Sequence, residues 1–161
     1  VAGIDFEALE GSSLAQGEAH SIGHMDFADE LSEVGKYRAL FSWNTNPVAS
    51  VPNYKQFCKA MQREDLFTVA IDCFHTDTVD YADIVLPAAS FLEFDDLTFS
   101  YFHMLMGVQA KAQEPMGESL PNQEIFRRLS MSMGFEEKEL YESDETLITT
   151  MMQQMNNMLI G

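Results

Sequence analysis

The sequence predicts an α/β protein: a Rossmann-like three-layer domain with a mainly parallel sheet, plus a C-terminal helical tail. Three observations predict it. Short apolar runs at residues 37–43, 66–72 and 83–87 alternate with stretches of helical periodicity. The run Leu66–Asp72 is apolar at nearly every position, as in a strand covered by helices on both faces. The connections leave room for parallel, right-handed crossovers.

Residues 1–35 read as an irregular lead-in, with Gly11, Ser12, Ser13, Gly17 and Gly23 breaking any sustained period. A short helix is expected within it from Asp26, with Phe27, Leu31 and Val34 on one face and Gly35 at its C-terminus. Residues 36–135 form the expected α/β core. Its first strand, Tyr37–Trp43, ends in the turn signal Asn44-Thr45-Asn46-Pro47. Pro52 and Asn53 open a helix to about Glu64, with Phe57, Cys58 and Met61 on one face. The second strand, Leu66–Asp72, leads through a polar loop to a helical turn near Tyr81. A third buried strand, Asp83–Pro87, follows. Residues 95–103 read as a loop and 104–112 as a strand. Asn122 is expected to cap a helix carrying Ile125, Phe126, Leu129 and Met133 on one face, with Gly134 ending it. The helical tail, 136–161, places Leu147, Met151, Met155 and Met158 in one stripe from about Asp144.

The chain has 161 residues, a length that suits one domain with one sizeable core. Its charge is lopsided: 9 Lys and Arg face 26 Asp and Glu, a formal net charge of −17. That excludes binding through nucleic-acid phosphates and disfavours anionic lipid, since both need a basic face. No run reaches the ~18 apolar residues of a membrane-spanning helix, so direct membrane insertion is not expected. Cys58 and Cys73 are too few for a disulfide framework and form no C-x-x-C pair, which favours a reducing compartment. Residues 1–10 are acidic and lack the basic region of a signal peptide.

In an open parallel sheet, ligands bind beyond the carboxyl ends of the strands. Asn46 and Asp72 stand at two such ends. An aspartate there can accept from a purine N–H or a ribose hydroxyl, and an asparagine can donate or accept. The plainer alternative is that Asn46 makes a turn before Pro47 and Asp72 caps the following loop. His75 and four aspartates between Asp72 and Asp83 match no zinc or calcium spacing, and a solvated loop is the expectation. His20 and His24 lie outside any convincing helix, and His103 reads as a hydrogen-bonded structural residue. Neither cysteine shows a reason for reactivity. There is no nucleophile elbow, Walker A loop or G-x-G-x-x-G fingerprint.

Three ordered strings carry a more specific signal: Leu40-Phe-Ser-Trp-Asn-Thr-Asn-Pro47, Val69-Ala-Ile-Asp-Cys-Phe-His-Thr-Asp-Thr78 and Tyr81-Ala-Asp-Ile-Val-Leu-Pro-Ala-Ala-Ser-Phe-Leu-Glu93. With Glu114-Pro-Met-Gly-Glu118, Asn122 and Glu124–Leu129, they resemble the molybdopterin oxidoreductase family of dimethyl-sulfoxide-reductase type. The resemblance covers about residues 36–135. It implies a domain that holds the guanosine end of a molybdopterin guanine dinucleotide, with molybdenum or tungsten in the intact parent. Carried over residue by residue, it implies cofactor-binding roles for Asn46, Ile71, Asp72, Thr76 and Asn122, and a supporting role for Asp83 in holding loop and strand. Phe94 departs from the basic residue that many members place after the Glu of the Leu-Glu block. Asp96–His103 departs from the family's usual Gly-Thr-Phe-x-Asn run.

The same resemblance implies what is missing. No iron–sulfur cysteine cluster and no metal ligand can be identified, so no catalytic or metal residue is assigned. The chain is read as an excised domain, and the isolated piece is expected to retain no cofactor, because net charge −17 opposes a pyrophosphate. Expected partners are the remaining domains of the parent and an iron–sulfur electron-transfer subunit. The Met-rich C-terminal helix, with four of the 11 methionines in the last eleven residues, would support self-association if its stripe is uncovered. The expected location is cytoplasmic, or periplasmic if the parent carries a Tat signal. The alternatives are a non-catalytic scaffold domain of the same fold in a respiratory complex, and a protein-binding module.

Overall fold

The computed structural model describes residues 21–98 and 106–160, with the side chains of 154–160 left out. The expectations for His20, His103, the stretch 99–105 and the side chains of Met155 and Met158 therefore lie outside the described residues. Residues 22–136 form one compact unit, and Glu137–Gly161 belong to a second.

The first unit is built on three parallel strands, β1 (Ala39–Trp43), β2 (Phe67–Asp72) and β3 (Ile84–Pro87), in the order β1-β2-β3. The register pairs Trp43 with Ile71, Ile71 with Leu86, and Asp72 with Pro87, so all three carboxyl ends lie on one rim. The helix α1 (Phe27–Ser32) precedes the sheet, and α2 (Pro47–Ser50) and α3 (Tyr54–Met61) run between β1 and β2. Proline at the first position of α2 suits a helix start, where the missing N–H costs nothing.

One face of the sheet packs on α1 and α3. Ala28, Leu31, Val48, Phe57, Ala60 and Met61 are buried together there, with Leu40 against them. Phe27 and Phe57 meet at 5.2 Å between ring centroids. The other face packs on α4 (Asn122–Met133), where Val69 and Ile71 meet Ile125, with Leu86 and Leu129 alongside. The alternation follows the two-residue period of a strand. Phe57 and Ile71 are fully buried, each contributing about 1.5–3 kcal/mol relative to exposure. Gly134 ends α4 at φ +74°, where its lack of a Cβ removes the strain.

The structure departs from the sequence reading in five places. α1 stops at Ser32, and Val34 stands 80% exposed, because the chain turns extended at Glu33 before a further helical turn forms. β3 is an edge strand whose Ile84 and Val85 are half exposed, since neither of its faces is fully covered by a described helix. Asp96–Thr98 is not loop but β4, paired antiparallel with β5 (Gly107–Gln109). Leu97 at its centre is buried, which rewards the strand. Asn122 is the first helical residue rather than the cap, because Pro121 takes the extended conformation at the cap position. Met133 points to solvent, the buried stripe of α4 being Ile125, Leu129 and Ser130.

The second unit contains a 3-10 turn, Lys138–Tyr141, and α5 (Asp144–Ile160). Ser143 accepts from Thr146 N–H through its hydroxyl at 3.2 Å, an N-terminal cap. Met151 and Met152 on α5 are exposed. Among the described residues, no helix is long and apolar enough to cross a membrane.

Candidate functional site

The site is assembled at the carboxyl-end rim. β1 leaves the sheet through Asn44, whose φ of +49° is tolerable for asparagine, and its N–H donates to the Ile71 carbonyl at 2.8 Å. That bond folds the β1 loop over the end of β2. Asn46 follows, with its whole amide engaged. Nδ2 donates to Asp77 Oδ2 at 3.0 Å, while Oδ1 accepts from Thr78 N at 3.2 Å and from Thr78 Oγ1 at 2.8 Å. Thr78 Oγ1 in turn accepts from Val48 N at 3.2 Å. Asn46 thus ties the loop after β1 to the loop after β2, beyond the turn that its position before Pro47 suggested.

Asp72 ends β2 half-buried. Its Oδ1 accepts from Phe74 N at 3.0 Å, so the carboxylate shapes the loop while keeping further acceptor capacity. Ile71 is a core residue, with its side chain against α4 and its carbonyl taken by Asn44. Thr76 lies in the same loop, and its Oγ1 is buried without a hydrogen-bond partner. Asn122 and Gln123 open α4, and the side-chain oxygens of both are likewise buried without a partner. Leu120 bridges to Ala88, and Leu120 N donates to the Pro87 carbonyl at 3.1 Å, which brings the start of α4 to the end of β3. Trp43 at the end of β1 meets Phe126 of α4 at 5.1 Å between centroids. The strand ends and the first turns of α4 therefore share one rim. Buried polar groups that lack partners are uncommon in folded proteins, and three at one rim mark a place that a ligand can satisfy.

Two carboxylates hold the surroundings. Asp83 Oδ2 accepts from Thr68 N at 2.7 Å, and Asp83 N donates to Thr68 O at 2.8 Å, the loop-and-strand tie expected of it. Glu93 is buried, with Oε2 accepting from Ser90 N at 2.7 Å and Oε1 from Met116 N at 3.0 Å. Those backbone donors, Ser90 foremost, hold its carboxyl below the usual range. Partial burial and the neighbouring Asp72 charge push the Cys73 thiol up, which keeps it protonated at neutral pH. His75 and Asp80 approach only to 3.7 Å and both are exposed. Among the described residues, no group of three or more His, Cys, Asp and Glu could hold a metal ion. A groove of about 620 Å³ lies at the opposite, amino-end rim, lined by Met61, Arg63, Asp80 and Asp83. Arg63 and Asp83 are already committed there to Asp65 and Thr68.

Sequence reasoning passed over Asp77, Thr78, Glu93 and Gln123. Only Gln123 left a local signal, a second amide directly after Asn122 at a helix start. The others acquire their parts through contacts across the fold.

The description of one protein family, molybdopterin oxidoreductase, matches residues 3–132, most of the chain. The chain belongs to the molybdopterin oxidoreductase family. A curated relative, "Probable oxidoreductase YoaE" of Bacillus subtilis (strain 168), is 44% identical over 120 residues, which are 74% of this chain and 18% of that protein. The "Assimilatory nitrate reductase catalytic subunit" of the same strain is 34% identical over 100 residues, 62% of this chain and 14% of that one. The chain thus spans under a fifth of the length of these relatives. Among solved structures, acetylene hydratase from Pelobacter acetylenicus shares the fold at a TM-score of 0.61 and 22% identity, covering 72% of this chain and 16% of that one. The α/β fold and the molybdopterin family membership expected from the three strings both hold.

Proposed function

We propose that this chain is the domain of a longer molybdenum or tungsten oxidoreductase that holds the guanosine end of a molybdopterin guanine dinucleotide. The observation that carries the reading is the set of unpartnered buried oxygens on Thr76, Asn122 and Gln123, gathered with Asp72 at the strand-end rim. The donor set suits a nucleoside: hydroxyl, amide and carboxylate oxygens accept from sugar hydroxyls and base N–H groups. When bound, the cofactor supplies the metal centre at which substrate is oxidised or reduced. This chain's residues bind and orient the cofactor's far end. Asp72 accepts from a ribose hydroxyl or purine N–H. Thr76 and Asn122 offer their free oxygens. Asn46 fixes the two loops relative to each other, and Ile71 anchors the end of β2 in the core.

On this reading the pyrophosphate is met by cations of the remaining domains, so the isolated chain retains no cofactor. The further partners proposed are an iron–sulfur electron-transfer subunit and, through the Met-rich helix, a second copy. The proposed compartment is the cytoplasm, or the periplasm for a parent with a Tat signal.

The test is Asp72→Ala in the full-length parent. Loss of a charge-assisted hydrogen bond costs about 1.5–3 kcal/mol, or about ten- to a hundredfold in cofactor retention. Bound metal and released guanine nucleotide are measured together. If both equal wild type in a folded variant, the cofactor reading of Asp72 fails. A parent that never contains guanine nucleotide favours the scaffold alternative.

A further inference from the structure

Trp43 is half exposed where it closes the edge strand β1, paired with Ile71 of the central strand. Its contact with Phe126 is edge-on, with an interplanar angle of 79°. Such a contact fixes the tilt of the indole and leaves ring surface open. Phe126 sits one helical turn from Asn122 and Gln123, at i−4 and i−3, so both amides stand in the turn above it on the same side of α4. Their unpartnered oxygens therefore lie on the stripe of α4 that leads from Trp43 to the rim.

An open aromatic plate beside free acceptors is a recognisable combination. Any base has a π-face that can stack on an indole. Two acceptor oxygens select a base edge that carries donors. Guanine presents N1–H and the N2 amine side by side, whereas adenine offers one amine beside an acceptor nitrogen. We infer that Trp43 is the stacking platform for the purine base and that Asn122 and Gln123 read the donor edge of guanine. The inference rests on the guanosine reading above and adds to it the residues that choose the base. The competing account is that Trp43 belongs with Phe41 and Phe67, also half exposed and on the same sheet face by strand alternation, to an apolar surface that only protein covers.

The chain has a single tryptophan, so its emission reports on Trp43 alone. Guanosine is the probe, because without phosphates the net charge does not oppose it. Titration of guanosine into the full chain should quench the emission saturably, with adenosine binding about tenfold more weakly and inosine, which lacks the N2 amine, between them. Saturation-transfer NMR measures binding independently of fluorescence. Trp43→Leu should weaken guanosine binding about tenfold, and Trp43→Phe, which keeps a smaller plate and the fold, about threefold. Gln123→Ala should narrow the gap between guanosine and inosine. If guanosine binds with unchanged affinity to both Trp43 variants and leaves the emission unaltered, the platform is overturned while the guanosine-end reading stands. Equal affinities for adenosine and guanosine overturn the base-edge assignment. No saturation transfer from the intact chain to guanosine overturns the guanosine reading and this inference together.

Discussion

Replacing Asn46 with alanine removes three hydrogen bonds at once. The bond to Asp77 is charge-assisted but lies at the surface, and contributes little. The two from Thr78 matter more, because Thr78 is 1% exposed. Without Asn46 Oδ1, the Thr78 N–H is left buried and unpaired, at a cost of about 1–3 kcal/mol. The hydroxyl still accepts from Val48 N, so it loses only its own donated bond, about 0.5–1.5 kcal/mol. The expected destabilisation is about 2–4 kcal/mol, a large share of the ~5–15 kcal/mol of a typical domain. With a mid-range urea slope of about 2 kcal/mol per molar, the midpoint falls by about 1–2 M. Urea titration followed by Trp43 emission measures this in the α/β unit, because the indole sits three residues from the change. Asn46→Asp is the companion variant: it keeps the acceptor for Thr78 but sets a carboxylate against Asp77. Its cost should shrink as added salt screens the two carboxylates from each other. A loss below about 0.5 kcal/mol for Asn46→Ala would show that water replaces the amide and that Asn46 does not join the loops.

Three further outcomes are expected. Glu93→Gln should lower the melting temperature at pH 7. The folded carboxyl titrates below its unfolded value, so its stabilisation is full above about pH 5 and disappears as pH falls through the lowered value, below which variant and wild type converge. Asp83→Ala leaves the Thr68 N–H unpaired under a fully buried residue and should cost about 1–3 kcal/mol in urea, with Asp83→Asn costing less. Phe57→Ala empties the centre of the packing between α1 and α3 and should cost about 3–5 kcal/mol by thermal melting.

The strands and the main helices were legible because their signals are local. The apolar run Val69–Ile71 and the Asn-Pro turn at Asn46 state their roles within a few residues, and Gly134 does the same for the end of α4. Coverage was not legible. Ile84 and Val85 have the composition of buried residues, yet burial depends on helix cover that reaches Leu86 and leaves these two half exposed. Asp96–Thr98 became a strand only because Gly107–Gln109 returned to pair with it. Strand-end logic placed Asp72 and Asn46 on the carboxyl-end rim but could not tell that the Asn46 amide is used inside the protein. That depends on Asp77 and Thr78, more than thirty residues away. Gln123 gains meaning from Phe126 resting on Trp43, a contact that no periodicity encodes.

Five of the chain's 9 cations are tied into local ion pairs: Lys36 with Glu30 and Glu33, Arg63 with Asp65, Lys111 with Glu114, and Arg127 and Arg128 with Glu124. The acidic excess is therefore left to be answered by mobile counterions. For a ligand that carries phosphates, the usual salt response then reverses. A basic site loses affinity as salt rises, because released counterions must return to a concentrated bath. Here added salt shortens the reach of the domain's own repulsion, from about 10 Å at 0.1 M to about 3 Å at 1 M, and admits the charged half of the ligand. On the proposed guanosine reading, such a domain would meet the uncharged end of its ligand in an electrostatic setting where ionic strength assists docking.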